Sequence, residues 1–240
     1  MTDPFAHHPD LRARIKPYAQ SFFRDFSSDK MRGVLEQHGI TGFPFYTDDH
    51  RESLRADALT HHKTGDLWVF AYGSLMWDPA LDFAEVRRAF APEHERRFIL
   101  RDIYGGRGTA EAPGLMAALD VGGGCEGLAF RIPQARIDCE TDILFRREMI
   151  APGYHAVFIP IMIDDARHRA LTFIADHDTD LIAGDITEAE QILCLTTGKG
   201  VLGTSYDYLK NVIVHLHDMG IPDAQLDALM AKVDATLMET

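Results

Sequence analysis

The sequence predicts an α+β fold on a largely antiparallel or mixed sheet. Three observations carry this. Short apolar runs rich in aromatic and β-branched residues follow one another between residues 67 and 175. Helical patterns with capping signals crowd the chain after residue 186. Strands and helices do not alternate strictly, as a doubly wound parallel sheet would require.

The elements follow in chain order. Residues 1–65 are polar and rich in histidine (His7, His8, His38, His50, His61, His62), and are expected to form a mostly helical N-terminal extension. Within it, SDKMRGVLEQHGI reads as a short helix capped by Ser28 or Asp29 and ended by Gly39, and TGFPFYTDD reads as a loop. Residues 66–240 are expected to form the main domain. Its strands are predicted at Leu67–Tyr72, Arg97–Ile103, Leu115–Val121, Cys125–Arg131, Tyr154–Ile163 and His168–Ala175, with a helix over 134–149. VGGGCEG reads as a glycine hairpin turn; no Lys-Ser/Thr follows it, so it is not a phosphate loop. Thr187 with Glu190, and Thr204 with Asp207, give two N-terminal capping patterns, ended by Gly198 and Gly220. Pro222 is expected to start the last helix, with Leu226, Leu229, Met230, Val233 and Leu237 on one face.

Composition bounds the function. The 240 residues are 46% hydrophobic and 25% charged, enough for a sizeable core. A net charge of −13 argues against nucleic acid or an anionic membrane as main partner, because both need a basic face. Cys125, Cys139 and Cys194 are odd in number and far apart, which suggests reduced thiols in a cytoplasm rather than disulfides or a zinc finger. MTDPFAHHPD has no signal-peptide pattern, and no apolar run is long enough to suggest a membrane span.

Several motifs have two readings. In WVFAYGSLMW (68–77), Gly73 and Ser74 interrupt the most apolar strand. The break is either a glycine bulge or a turn whose backbone N–H groups bind an anion. Ser74 as a nucleophile does not fit the G-x-S-x-G elbow. Arg107 in RGT is either a carboxylate partner in a glycine-rich loop or part of a surface turn. Glu148 follows two arginines, Arg146 and Arg147, whose default reading is a surface salt bridge. His61-His62 and His215-x-His217 are spaced to diverge on a helix, which argues against a metal site. Asp164-Asp165 and 177–180 are read as turns, and Trp68 and Trp77 as core or pocket wall.

The order of these motifs is more specific than any one of them. Tyr72-Gly73-Ser74-Leu75 comes first, then Trp77-x-Pro79, Arg107-Gly108-Thr109, Pro113-Gly114 and Glu126-Gly127-x-Ala129-Phe130. Arg147-Glu148, Gly153-Tyr154, Asp207-Tyr208-Leu209 and Gly220-Ile221 follow. Over about 67–222 the chain resembles the ChaC family of glutathione-specific γ-glutamylcyclotransferases, in its bacterial branch.

The resemblance implies a small mixed β-barrel with surrounding helices, without metal or organic cofactor. It implies a lyase that cleaves glutathione to 5-oxoproline and cysteinylglycine, as a monomer or weak oligomer in the cytoplasm. The glutamate of the family's R-E motif is the acid/base, here Glu148. The family's Y-G-S-L loop binds the γ-glutamyl group, here Tyr72, Gly73, Ser74 and Leu75, with Tyr154 and Arg107 as further substrate-binding candidates. Met-Ile-Ala-Pro-Gly-Tyr after Glu148 is longer than the Gly-Gly-Tyr of shorter members, and Ser205 stands where some members have Asn.

The implied reaction is an internal aminolysis. The substrate's α-amino group attacks its own γ-carbonyl, so no enzyme nucleophile is needed and orientation supplies much of the rate. One carboxylate can take the ammonium proton and return it to the leaving nitrogen. Action on other γ-glutamyl amines or peptides is one alternative. A non-catalytic binding protein linked to cation transport, as the family's historical naming suggests, is another.

Overall fold

The computed structural model describes residues 3–239. The N-terminal part runs through three short helical turns, Pro9–Ala13, Tyr18–Gln20 and Phe22–Asp25, then helices α1 (Ser28–Gln37) and α2 (Asp48–Leu59). Strand β1 (Leu67–Ala71), the turn Ser74–Met76, β2 (Glu85–Ala91), β3 (His94–Tyr104), β4 (Thr109–Val121) and β5 (Cys125–Ile132) follow. Helix α3 (Ile137–Glu148), β6 (Tyr154–Ile163), β7 (Ala166–Ala175) and α4 (Glu188–Thr197) come next. A two-stranded ribbon, β8 (Lys199–Gly200) and β9 (Gly203–Thr204), precedes α5 (Ser205–Asp218) and α6 (Ala224–Met238). Among the described residues no helix is long and apolar enough to cross a membrane.

Five strands close a barrel in the order β1-β5-β2-β6-β7, and β7 returns to β1 through the parallel pairs Trp68↔Ala170 and Val69↔Leu171. The other four contacts around the ring are antiparallel. Further along β7 the neighbour changes. At Ile174 it is Leu119 of β4 rather than β1, and β3 pairs outside β4. The sheet therefore parts between the end of β1 and β4, which leaves a notch at one end of the barrel.

Period-2 alternation divides the core. Phe70, Ala89, Ala91, Cys125, Ala129, Ile159, Ile161 and Ala170 come from all five barrel strands and fill its inside. Residues of opposite parity, such as Val69, Ala71, Leu128 and Phe130, pack with Leu144 and Phe145 of α3 and with Leu209, Val212 and Leu216 of α5. Gly127 has a steric reason: a Cβ there would lie 2.4 Å from the Ala71 carbonyl oxygen, so β5 can approach the end of β1 only without a side chain.

Several expectations shift. VGGGCEG is not a hairpin, because β4 pairs with β3 and β7 whereas β5 pairs with β1 and β2. The hairpins of this sheet are β3–β4 and β6–β7, the latter turning at Asp164 with a left-handed φ of 50°. Strand β2 is absent from the sequence expectations: Ala89 and Ala91 face the barrel interior and Val86 the opposite face, but Glu85, Arg87 and Arg88 break the apolar run, so EVRRAFA does not read as a buried strand. Helix α2 begins within the expected TGFPFYTDD loop, capped by Thr47. Ser27 rather than Ser28 or Asp29 caps α1, and α6 starts at Ala224, capped by Asp223, rather than at Pro222. On α6, Leu226, Leu229 and Val233 are buried, whereas Leu237 is exposed. The full capping box forms at Thr187, and at Thr204 the N-cap half forms, its hydroxyl accepting from Asp207 N–H.

Candidate active site

The Tyr72–Leu75 segment leaves β1 at the notch. Its turn keeps two hydrogen bonds of its own, Met76 N–H to the Gly73 carbonyl (2.9 Å) and Asp78 N–H to the Ser74 carbonyl (3.1 Å). A helical start leaves its first N–H groups without partners in the helix, and here those belong to residues 73–75. Leu75 and Met76 are buried in the core, so only the backbone of Leu75 is available for chemistry. Trp77 stacks on His215 of α5 (4.2 Å between centroids) and packs partly buried against the core.

Helix α3 delivers Glu148 at its last turn. The carboxylate is mostly buried, with the side chain 16% exposed, and its Oε1 lies 2.9 Å from Arg147 Nε. Burial pushes its proton affinity above the ordinary carboxylate range, while the Arg147 charge and hydrogen bond pull it back only in part.

Arg147 overturns the surface reading of the arginine pair. Arg146 does form a surface pair, with Asp142 one turn back at 3.0 Å. Arg147 instead turns inward, buried, and donates through Nη2 to Ser74 Oγ (2.8 Å) and through Nη1 to the Asp78 carbonyl. One planar guanidinium thus joins the carboxylate of Glu148 to the turn after β1. Because the neighbour of Ser74 Oγ is a cation and not a base, the hydroxyl is not activated for attack.

Tyrosines close the remaining sides. The phenols of Tyr72 and Tyr154 are neighbours, and Tyr154 Oη donates to the Ala117 carbonyl of β4 (2.9 Å). Burial above all holds both phenols well above their ordinary range, followed by the Glu148 charge at Tyr72 and by the neighbouring Tyr72 and Tyr208 at Tyr154, so both stay protonated. Tyr208, on the first turn of α5, feels the same carboxylate. A Cβ on Gly73 would meet only its hydroxyl, at 3.9 Å. The guanidinium of Arg107 lies over the Tyr208 ring (4.7 Å) and donates to the Thr204 carbonyl (3.2 Å).

The structure links the sequence-predicted site residues in chains of contact, Glu148 to Ser74 through Arg147, Tyr72 beside Tyr154, and Arg107 to Gly73 through Tyr208, whereas the Leu75 side chain lies in the core. Sequence reasoning missed Arg147 and gave Tyr208 no role. It also missed Arg96 of β3, a buried side chain that donates to the carbonyls of Tyr72 and Glu126 and pairs with Asp223. Ser205 is structural, accepting from Leu115 N–H at 2.8 Å.

Beside the notch, a cleft of about 570 Å³ runs between α2 and β6, with Met149 and Tyr154 on its inner wall and Asp57, His61, His155 and Asp176 at its rim. His155, Asp176 and Asp178 place ligand atoms within 4.8 Å of one another at the surface, where His155 and Asp176 pair at 3.0 Å.

A family model described as ChaC-like protein matches residues 67–236. The glutathione-specific γ-glutamylcyclotransferase of Escherichia coli K12 is 37% identical over 189 residues, covering 78% of this chain and 81% of that protein. The human glutathione-specific γ-glutamylcyclotransferase 1 is 29% identical over 174 residues, covering 70% and 78%. A crystal structure of a glutathione-specific γ-glutamylcyclotransferase from yeast matches with a TM-score of 0.63 at 20% identity, covering 72% of this chain and 97% of that one, a likeness that shows the fold.

Proposed function

This chain belongs to the ChaC-like family, and we propose that it degrades glutathione by cyclising the γ-glutamyl group, releasing 5-oxoproline and cysteinylglycine. The observation that carries the reading is the buried Glu148 carboxylate, tied by one guanidinium to the turn after β1.

The chemistry follows from the groups present. The α-amino group of glutathione forms a C–N bond to its own γ-carbonyl, and the γ-glutamyl C–N bond to cysteine breaks. Glu148 takes the proton lost by the amine and delivers it to the leaving nitrogen. A carboxylate with raised proton affinity suits both transfers, and Arg147 keeps it ionised for the first of them. The N–H groups at residues 73–75 are placed to receive the oxyanion or the substrate α-carboxylate. The protonated phenols of Tyr72 and Tyr154 serve as donors at the same end, and Arg107 meets a carboxylate. Leu75 contributes backbone only.

The test is glutathione turnover, read as 5-oxoproline, by wild type and Glu148→Gln. Loss of roughly 10²–10⁴-fold in kcat is expected from removing a general acid/base, together with a lower thermal midpoint because the buried Arg147 charge loses its carboxylate partner. Near-wild-type turnover by the variant overturns the role of Glu148. Faster turnover of γ-glutamyl dipeptides than of glutathione overturns the substrate.

A further inference from the structure

Residues 14–26 cross the outside of the notch as a strap, and they lie outside the 67–236 match. The strap is tied at many points to the loop after the turn and to α3. Lys16 N–H donates to the Trp77 carbonyl (2.8 Å), and Lys16 Nζ pairs with Asp78 Oδ2 (3.1 Å). Arg24 donates to the Ala80 carbonyl (3.1 Å) and pairs with Glu140, which is buried in the first turn of α3 and also accepts from Asp82 N–H (3.0 Å). Arg146 Nη1 donates to the Phe26 carbonyl (2.6 Å). These ties hold the strap backbone whatever side chain stands at position 23.

The side chain at that position is Phe23, and the Arg147 guanidinium carbon lies 4.0 Å from its ring centroid. The ring is itself set by Phe22 (5.5 Å, edge-on) and by the buried Phe26 (5.7 Å). The edges of the same guanidinium are taken by Ser74, Asp78 and Glu148. Hydrogen bonds hold the guanidinium by its edges, and an aromatic ring packed on its flat face adds a cation–π contact that steadies the same plane. Arg147 therefore has its edges set by the barrel domain and its face set by the N-terminal segment.

We propose that Phe23 is a positioning residue for catalysis: its ring face fixes the Arg147 guanidinium, which in turn fixes the Glu148 carboxylate and the Ser74 turn relative to each other. The N-terminal segment then completes the active site rather than only covering it. The proposal rests on Glu148 being the acid/base.

The experiment is a double-mutant cycle in the full chain, measuring kcat, KM and thermal midpoint with glutathione. Phe23→Leu keeps apolar bulk and removes the ring face. It is expected to lower kcat about tenfold at an unchanged midpoint, with KM changing less than kcat. Phe23→Trp is expected to stay within about twofold of wild type, because a larger ring face is retained. In an Arg147→Lys background, which lacks the planar fork, Phe23→Leu is expected to add no further loss. Wild-type kcat for Phe23→Leu, or an equal loss on top of Arg147→Lys, overturns the proposal. If Phe23→Leu lowers the midpoint, pentafluorophenylalanine at position 23 decides, since it keeps the shape and reverses the charge on the ring face. A severalfold fall in kcat then supports the proposal, and none overturns it. Glu148→Gln run alongside separates the two readings: full activity there sinks the catalytic assignment, whereas loss there with an unaffected Phe23→Leu sinks only this inference.

Discussion

Arg96→Met tests how the turn after β1 is anchored. Arg96 is buried on β3, with its side chain 1% exposed. It donates to the Tyr72 carbonyl, to the Glu126 carbonyl at 2.7 Å and to Asp223 Oδ2 at 2.5 Å. Methionine fills a similar volume but strands two carbonyls and one carboxylate. Breaking a buried ion pair by removing one partner costs about 3–5 kcal/mol. Asp223 is 20% exposed and keeps the N–H groups of Gln225 and Leu226 at 3.1 and 3.2 Å, so the lower end applies. About 3 kcal/mol in a chain of this size is a fall of ~6–12 °C in thermal midpoint. Calorimetry on the purified variant measures it, with Arg96→Lys as the variant that keeps the charge and loses the fork. Because the Tyr72 carbonyl immediately precedes Gly73, KM for glutathione is expected to rise as well. A midpoint within ~2 °C of wild type refutes the reasoning, since it means that these carbonyls find water or other donors at no cost.

Other outcomes follow from the same geometry. In the proposed mechanism Glu148 must be ionised to act as base, so activity is expected to rise as pH rises through its pKa, which burial holds above the ordinary carboxylate range. Arg147→Gln removes the group that lowers this pKa, so the acidic limb of kcat/KM is expected to move to higher pH; a limb that stays put or moves down contradicts the pairing. Ser74→Ala removes the acceptor of Arg147 Nη2 but no reacting group, so it is expected to raise KM more than it lowers kcat, unlike Glu148→Gln. Gly73→Ala and Gly127→Ala form a contrasting pair. A methyl at residue 73 meets only Tyr208 Oη at 3.9 Å, whereas one at 127 meets the Ala71 carbonyl at 2.4 Å. The first is expected to raise KM at constant midpoint, and the second to lower the midpoint through a loss of ~1–3 kcal/mol. The reverse pattern would place the substrate on the wrong side of the turn.

What the sequence made legible was local. The N-caps at Thr187 and Thr204, the strand before Gly73 and the helix ending at Glu148 each depend on residues a few positions apart, and each forms. Arg147 escaped because it was weighed with its neighbour Arg146 rather than with its helix. Glu140, Leu144 and Arg147 stand four and three residues apart, on one face of α3, and all three are buried. That spacing was available as a signal, since a charged residue on an apolar face announces a buried partner. Strand β2 escaped for the opposite reason: its inward residues are two small alanines, and Glu85, Arg87 and Arg88 make the segment look polar. Barrel closure had no local signature at all. It rests on Trp68 and Val69 meeting Ala170 and Leu171, about a hundred residues away.

That same closure accounts for the Gly-Ser break in the most apolar strand. Strand β7 has one free edge for two partners, taking β1 at Ala170–Leu171 and β4 at Ile174. For β4 to take over that edge, β1 must leave it, and the chain leaves through Tyr72, Gly73 and Ser74. The departure leaves backbone N–H groups at residues 73–75 without partners in the turn, beside Tyr208 and Arg147. Packing and chemistry are therefore not rival readings of this turn. The handover of an edge from one strand to another creates an unpaired backbone, and the buried carboxylate of Glu148 is brought to it by the one arginine that binds both.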